Sequence, residues 1–479
     1  MLRFLCGVGY CALMSILVPK AALAQVQSPA IDGAGAPVSD VDRIYTGDQS
    51  SNTITVIKPS TAEVLGTISL GNPRLSDVIG PQYIRSVNSH GLGFSRDGKH
   101  IVSLSVTTNT VTVIRCEDNT IVSQTFVDRN AHEAFFASDN RTIWVGTRGV
   151  EYIDIVDGIQ GGLVSRIPSY GGPSKVLFSP DGRIAYVNHV RSPSISIIDV
   201  ESQTMIYNLT GLPDKFSSDM MLSADGLRLW VAHKMIGKVS VISTAQRKIV
   251  TVIDTGLETN HPNFAVVNGT THGFVTVAAL NLTKVFRQPD PEVSPEYVTS
   301  ILASGIEPHG LWPSPDNKWM YIVNEHSDTV DFADLSTMQV TKTVNVGQEG
   351  QALIYVANAV PTGNGMQNLG RQGLFTKPAF NTLIDVGKLG EPAGSALITV
   401  RPQQGLDMFQ LIGRNLKLNA TYTASAACVN CGGFRIPLLD FVAGTPTMTG
   451  CGSAPQVLGF FKFFGVYDPD SLQVYESGV

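Results

Sequence analysis

The chain has 479 residues, of which 15% are charged, and its formal net charge is −6. One ordinary hydrophobic core does not extend over this length, so two domains or a closed repeat array are expected. No basic stripe is present to neutralise phosphates, which excludes nucleic acid as an expected partner.

The first 24 residues have the features of a secretory signal peptide. Arg3 supplies a positive start, residues 4–18 are mostly apolar, and Ala22-Leu23-Ala24 is a small-residue cleavage site. The alternative is a membrane anchor, but about 15 apolar residues fall short of the ~20 that span a bilayer. No later segment is apolar enough to cross. The sequence therefore predicts a secreted protein, extracellular or periplasmic, without a membrane span.

From residue 41 to residue 358 one pattern returns at steps of 42 to 46 residues. In its clearest copy, His90 precedes apolar residues and the turn Ser95-Arg-Asp97-Gly98. Three further strand-like segments follow in each unit, with period-two alternation and turns rich in Gly, Asn, Asp and Pro. Four short strands per unit of this length indicate a β-propeller blade. The copies begin at His90, His132, Ser174, Ser218, Asn263, His309 and Gln351.

The two ends of the repeat are complementary. The chain enters at 43–48 with a second strand and lacks the first strand of that blade, whereas the copy at Gln351 supplies a first strand only. We therefore expect an all-β, seven-bladed propeller closed by its C-terminal strand, which leaves no exposed sheet edge inside the ring.

These residues resemble the YVTN-type β-propeller repeat family. Tyr186-Val187-Asn188, the strand 194–199 and the turn Phe178-Ser-Pro-Asp-Gly182 carry the resemblance. It implies the propeller fold over the repeat region and no single activity. The sixth unit departs from the pattern, because Val267-Asn-Gly-Thr-Thr-His272 replaces the usual turn.

The sequence beyond the repeat changes character. Residues 359–378 are rich in Gly and Asn and predict a linker. Residues 379–479 no longer follow the repeat, yet they contain short alternating segments typical of strands, which predicts a small appended β-sandwich domain.

Three of the four cysteines outside the signal segment cluster near the C-terminus, at Cys428, Cys431 and Cys451. In an oxidising compartment this predicts a disulfide, with the pairing left open. The Cys428-x-x-Cys431 spacing also occurs in redox and metal motifs, but no second pair or His at zinc-ligand spacing accompanies it.

Asn-x-Ser/Thr sequons predict glycosylated surface loops if the host is eukaryotic. They begin at Asn140, Asn208, Asn268, Asn281 and Asn419.

Chemistry is expected where the first strands line the central channel. Laid in register, His90, His132 and His309 fall on one side of the circle, and Glu349 lies two residues before Gln351. Three imidazoles near a carboxylate are the ligand set of a divalent transition metal. The same four residues are candidates for general acid–base catalysis. Alternatively, the histidines only form hydrogen bonds across a polar channel.

Two functions follow from these observations. The first is a secreted binding or scaffold protein that recognises a small molecule, or an extracellular protein or surface partner, at a propeller face. The alternative is a metal-assisted or acid–base enzyme, a lyase, isomerase or oxidoreductase, acting on a small molecule at the channel mouth. The fold alone does not separate them, because propellers serve both purposes.

Overall fold

The computed structural model describes residues 35–70 and 87–371, and, nearer the C-terminus, 380–385, 394–402, 407–414, 416–417, 419–427, 435–442, 456–461 and 472–476. The predicted signal peptide lies outside these residues. In the described part of the chain, helical structure is confined to two single 3₁₀ turns, at Lys234–Ile236 and Ala278–Leu280. No described helix is long and apolar enough to cross a membrane.

The repeat region is built from short antiparallel strands. In chain order they are β1 (Arg43–Asp48), β2 (Thr53–Lys58), β3 (Glu63–Ser69), β4 (Gly91–Phe94), β5 (His100–Ser105), β6 (Thr110–Arg115), β7 (Thr120–Phe126), β8 (Ala131–Phe136), β9 (Thr142–Thr147), β10 (Tyr152–Asp157), β11 (Leu163–Pro168), β12 (Pro173–Phe178), β13 (Ile184–His189), β14 (Ser194–Asp199), β15 (Thr204–Thr210), β16 (Asp219–Leu222), β17 (Arg228–His233), β18 (Lys238–Ser243), β19 (Lys248–Asp254), β20 (Thr259–Val267), β21 (Thr270–Val277), β22 (Leu282–Arg287), β23 (Glu296–Leu302), β24 (Pro308–Pro313), β25 (Trp319–Asn324), β26 (Thr329–Asp334), β27 (Gln339–Asn345) and β28 (Gly350–Val356).

Over the described repeat region these strands form seven four-stranded sheets, the blades of a propeller. Blade 1 has the order β28-β1-β2-β3, and blades 2 to 7 are β4–β7, β8–β11, β12–β15, β16–β19, β20–β23 and β24–β27. The predicted closure is confirmed, because β28 pairs antiparallel with β1 from Arg43–Val356 to Asp48–Gly350. The seven-bladed, all-β fold expected from the sequence is therefore confirmed.

Aromatic residues hold neighbouring blades together. Trp144 on blade 3 meets Phe178 on blade 4 edge-on with ring centroids 5.4 Å apart, and Trp230 on blade 5 meets Phe264 on blade 6 at 5.3 Å. Edge-to-face pairs of this kind add about 0.5–1.5 kcal/mol beyond the area that they bury. The alternation seen in the sequence thus places one large ring of each pair between adjacent sheets.

Part of the predicted linker contacts the propeller. The amide of Val360 donates to the carbonyl of Val41 at 2.9 Å, and Gly370 pairs with Thr67 on the outer strand of blade 1. Between them, the Asn119 side chain of blade 2 donates to the carbonyl of Gly365 at 2.8 Å.

The C-terminal region adds further strands: β29 (Phe380–Asp385), β30 (Ser395–Pro402), β31 (Asp407–Arg414), β32 (Thr421–Ala427), β33 (Arg435–Val442), β34 (Gln456–Phe461) and β35 (Leu472–Glu476). They form a sheet with the order β29-β30-β31-β34 and a sheet with the order β33-β32-β35. The sandwich domain, with its boundaries at 379–479, stays a prediction.

Candidate functional site

The first strand of each blade, or β28 in blade 1, is its inner strand and lines the channel. Near its start each inner strand places one residue at the same end of the channel, which we call the upper end. This residue comes two positions after the residue that begins the segment, and in three blades that first residue, Asn130, Glu307 or Glu349, has a left-handed φ of 58–60°. We call this set the channel ring. It comprises His90, His132, Ser174, Ser218, Asn260, His309 and Gln351.

The register of blade 6 corrects the sequence alignment, which placed Asn263 in this ring. The amide of Ala278 donates to the carbonyl of Glu258, as the amide of Glu325 does to that of Glu307 in blade 7. Asn260, two residues after Glu258, is therefore the equivalent of His309. In blade 6 the first two strands are joined by the two-residue turn Asn268-Gly269, whereas other blades have a longer turn at this place. Counting back from the turn as in the other blades therefore placed the ring position three residues too late.

Two of the three predicted histidines lie side by side in the channel ring: the rings of His90 and His132 are 4.7 Å apart, centroid to centroid. The third, His309, lies 4.6 Å from His261, the residue after Asn260 in blade 6. Sets of three ligand side chains with all donor atoms within 4.8 Å of one another occur elsewhere in the described residues. A metal held by His90, His132 and His309 stays a prediction.

Neighbouring groups fix the tautomers of these histidines. Nδ1 of His132 lies 3.2 Å from both the carbonyl oxygen and the hydroxyl oxygen of Ser174, and Nδ1 of His309 lies 3.1 Å from the carbonyl oxygen of Gln351. A carbonyl only accepts, so Nδ1 carries the proton and Nε2 keeps its lone pair. Nδ1 of His90 likewise faces an oxygen, that of the Gln49 side chain, and Nδ1 of His261 faces a carboxylate oxygen of Asp219.

The channel keeps the rings of His90, His132 and His309 uncharged. Burial, and then the Arg148 guanidinium, hold the pKa values of His90 and His132 well below the usual range. Burial, followed by the proximity of His261 and Lys234, does the same to the pKa of His309. At neutral pH the three rings are therefore hydrogen-bond acceptors at Nε2 and weak bases.

In blades 3 to 6 a layer of charged and titratable residues lies next to the channel ring, one residue further along the inner strands. Lys175 Nζ is 2.9 Å from Glu133 and 2.7 Å from Asp219, and Asp219 also contacts His261. Burial opposes the charge on Lys175, but Asp219 and Glu133 outweigh it and raise the lysine pKa overall. We call these four residues the charge layer.

Aromatic rings from three blades pack against one another beside the charge layer. Phe94 lies 5.5 Å from Trp312 and 5.9 Å from Phe135, centroid to centroid. We call these three rings the aromatic floor. A cavity of about 20 Å³ lies between floor and charge layer, which is room for about one water. At this depth the channel is therefore narrow, with polar groups of the charge layer on one side and aromatic rings on the other.

Above the channel ring, the residue that follows the second strand supplies a polar group in four of the seven blades, and the sequence alignment missed these groups. Glu325 lies with Oε2 3.7 Å from Nε2 of His309 and accepts a hydrogen bond from Gln351 at 2.7 Å. Arg148 donates to Ser174 at 2.9 Å. Aligning the second strands as well as the first would have found these positions, which are held by Gln49, Arg148, Lys234 and Glu325 in four of the blades.

Glu307, Glu325 and His326 form a compact set, which we call the rim cluster. Nε2 of His326 is 2.9 Å from Glu307, whose other oxygen lies 3.7 Å from Lys234 Nζ. Burial, followed by the charge of Glu307, raises the pKa of Glu325 to about 7. Burial also opposes the charge of Glu307, but His326 outweighs it and lowers the pKa of Glu307 to about 2.

The C-terminal strands contact the propeller at this rim. Thr399 on β30 lies 2.8 Å from Nδ1 of His326. Arg414 on β31 forms a bidentate pair with Glu258, at 2.8 and 2.6 Å. The upper mouth of the channel is therefore bordered on the side of blades 6 and 7 by the sheet β29-β30-β31-β34.

The remaining predicted sites fall in several environments. Glu349 is buried beside the channel ring and accepts a hydrogen bond from Ser50.

Cys428, Cys431 and Cys451 lie outside the described residues, and Cys116 is a buried free thiol. Asn268, Asn281 and Asn419 are exposed, whereas Asn140 and Asn208 are half-buried. Glycosylation of these five residues stays a prediction.

No protein-family model matches this chain, and no curated protein matches it. Solved structures do. A protein of unknown function from Desulfotomaculum acetoxidans aligns with a TM-score of 0.55 at 12% identity, over 65% of this chain and 98% of the other. A periplasmic gluconolactonase of Pseudomonas aeruginosa gives 0.52 at 15%, over 66% and 99%. Hydrazine synthase of Kuenenia stuttgartiensis gives 0.50 at 17%, over 71% and 99%.

At these identities the likeness concerns the fold alone. The chain is a seven-bladed β-propeller protein with histidines at one end of its channel and additional C-terminal strands.

Proposed function

We propose that this chain is a secreted binding protein of the YVTN-type propeller class that holds a small hydroxyl-rich molecule in the channel mouth. One observation carries the proposal: Nδ1 of His132 and Nδ1 of His309 each face a main-chain oxygen of the next blade, an arrangement that leaves Nε2 as an acceptor. His132 and His309 donate from Nδ1 to the main chain of the next blade. A ligand that complements such a wall must bring hydrogen-bond donors, and hydroxyl groups are the simplest.

The environment around the ring supports a small neutral ligand. His90 is half-buried, and 11% of the His309 side chain is exposed, so solvent reaches the ring. Arg148 and Glu325 add one donor and one acceptor group beside it. The enclosed space below holds about one water, so the ligand binds at the mouth rather than through the channel.

The pKa values of the channel histidines favour a binding role over acid–base catalysis. A general base works best with a pKa near the operating pH. Those of His90, His132 and His309 lie well below the usual range because the rings are buried. Such rings accept hydrogen bonds at neutral pH but take up protons poorly.

The experiment is a thermal-unfolding screen of the purified mature protein against glycerol, inositol, monosaccharides and sugar lactones, because a ligand that binds only the native state raises Tm. We expect at least one of these probes to raise Tm, and the rise to vanish in the double variant H132N/H309N. The absence of any rise, or an equal rise in the double variant, would overturn the proposal. Lactone turnover during the screen would instead support the enzyme alternative.

A further inference from the structure

The rim cluster presents three metal-type donors at one point. A carboxylate oxygen of Glu307, one of Glu325 and a ring nitrogen of His326 all lie within 4.8 Å of one another, and all three residues are at most 2% exposed. One imidazole with two carboxylates is a donor set that divalent transition metals accept. The rim cluster is a different site from the predicted three-histidine site, because its residues lie in the loops above the channel ring.

The groups around the cluster orient its donors. Thr399 lies 2.8 Å from Nδ1 of His326, which leaves Nε2 toward the carboxylates. Gln351 donates to one oxygen of Glu325 at 2.7 Å. Metal-binding histidines and carboxylates are typically held by such outer hydrogen bonds, which set the tautomer and the ring orientation.

A buried amide oxygen gives independent support for a ligand here. Gln351 is 5% exposed, and its Nε2 is occupied by Glu325, yet its Oε1 accepts no hydrogen bond from any described residue. A buried carbonyl-type oxygen without a donor is unfavourable by about 1–3 kcal/mol. A cation or its bound water at the cluster would satisfy this oxygen.

The charge layer contains a second set of three possible metal ligands, with which the rim cluster can be compared. Glu133, Asp219 and His261 also bring three donor atoms within 4.8 Å. There, however, Lys175 Nζ lies 2.9 and 2.7 Å from the two carboxylates, so an ammonium occupies the position that a metal would take. In the rim cluster Lys234 Nζ lies 3.7 Å from Glu307, on the oxygen opposite to the one that faces His326.

We propose that Glu307, Glu325 and His326 bind one divalent transition metal ion, such as Zn²⁺, at the channel mouth. His309 lies beside the site, with Nε2 3.7 Å from Glu325. This inference goes beyond the binding of a hydroxyl-rich molecule and does not depend on it. The mixed N/O donor set favours Zn²⁺ over Ca²⁺, which prefers six to eight oxygen ligands.

The test uses the full-length mature chain, stripped with a chelator and titrated with ZnCl₂ by calorimetry, with bound metal measured by mass spectrometry after dialysis. We expect one Zn²⁺ per chain and no comparable heat with CaCl₂. E307Q and H326Q should weaken Zn²⁺ binding at least ~100-fold, in line with the loss of a direct ligand. H261Q in the charge layer, the matched control, should keep wild-type affinity.

A second variant covers the case in which ligand variants fail to fold. T399A leaves all three ligands in place and removes only the outer contact to His326, so we expect a ~10-fold loss of Zn²⁺ affinity with an unchanged circular dichroism spectrum. A wild-type chain that binds no Zn²⁺ overturns the proposal. So does Zn²⁺ binding that survives E307Q, or that is lost in H261Q.

Discussion

Nδ1 of His309 lies 3.1 Å from the main-chain oxygen of Gln351 on the neighbouring blade. His132 on blade 3 makes the same contact with Ser174 on blade 4, at 3.2 Å. Because both contacts join adjacent inner strands, they fix the tautomer of each ring and also help to hold the blades together.

The first prediction separates these two roles. Asn reproduces the Nδ1 donor of His but not the Nε2 acceptor, and Asn260 already fills this ring position in blade 6, where it donates to Pro308 at 3.2 Å. We expect H132N and H309N each to change the free energy of unfolding by less than about 1 kcal/mol, because the donated bond persists. Urea unfolding measures this, and a much larger loss would show that the rings stabilise the blades by packing.

The second prediction concerns the charge layer. K175M leaves Glu133 and Asp219 buried without their cation, so we expect a loss of about 3–5 kcal/mol in urea unfolding. The triple variant K175M/E133Q/D219N should recover part of this loss, because no charge stays unpaired. K238M, which removes the exposed pair with Asp254, is the control and should change stability by less than about 1 kcal/mol. Equal effects of K175M and K238M would contradict the prediction.

The third prediction is a pH dependence. His189 and His233 end equivalent second strands, donate or accept through both ring nitrogens, and have pKa values that burial lowers to about 4. Their unfolded pKa is about 6.5, so the unfolded chain gains protons first as the pH falls. The two histidines therefore contribute their full stabilisation above about pH 6.5. As the pH falls from 6.5 toward 4, the free energy of unfolding decreases by up to about 3 kcal/mol per histidine.

Asn324 occupies the same position in blade 7 and donates to Thr329 at 3.1 Å, so H189N/H233N is a matched variant. We expect it to lose less stability than the wild type between pH 7 and pH 4.5 in urea unfolding. Identical losses in the two proteins would mean that other groups cause the acid sensitivity.

The fourth prediction tests the aromatic floor. W312A removes the ring that meets both Phe94 and Phe135, at 5.5 and 6.4 Å, and should lower the free energy of unfolding by about 3–5 kcal/mol. W312F retains an aromatic ring and should lose less. Denaturant unfolding of both variants distinguishes them, and a W312A loss no larger than that of W312F would argue against a packed floor.

The fifth prediction concerns the contact of the C-terminal sheet with the propeller. R414A removes the bidentate pair with Glu258, and we expect faster proteinase K cleavage beyond residue 371, followed by mass spectrometry of the propeller fragment. E258Q should act in the same direction. D118N, which weakens the exposed pair with Arg115, should leave the rate unchanged.

Part of the candidate site could be predicted, and part could not. His90, His132 and His309 were found from register alone, because the position of a residue along an inner strand decides whether it faces the channel. Glu325 and Lys234 were not, since they follow second strands and reach the rim only when the loops fold over the inner strands. His261 was not singled out as a candidate, because the shorter turn of blade 6 shifted the alignment of that blade and put Asn263 at the ring position.

By itself, the sequence determined the number of blades, the order of strands within each blade and the strand that closes the ring. These follow from local periodicity and from what each end of the repeat lacks, which are properties of the chain written in order. The tertiary structure decided which polar groups meet. Lys175 on β12 pairs with Glu133 on β8 and with Asp219 on β16 because closing the ring brings the inner strands of neighbouring blades within hydrogen-bond distance. Glu307 pairs with His326 because the folding of blade 7 brings the segment before β24 beside the β25–β26 loop. The first set of distances depends on the closed ring, and no repeat unit encodes it alone.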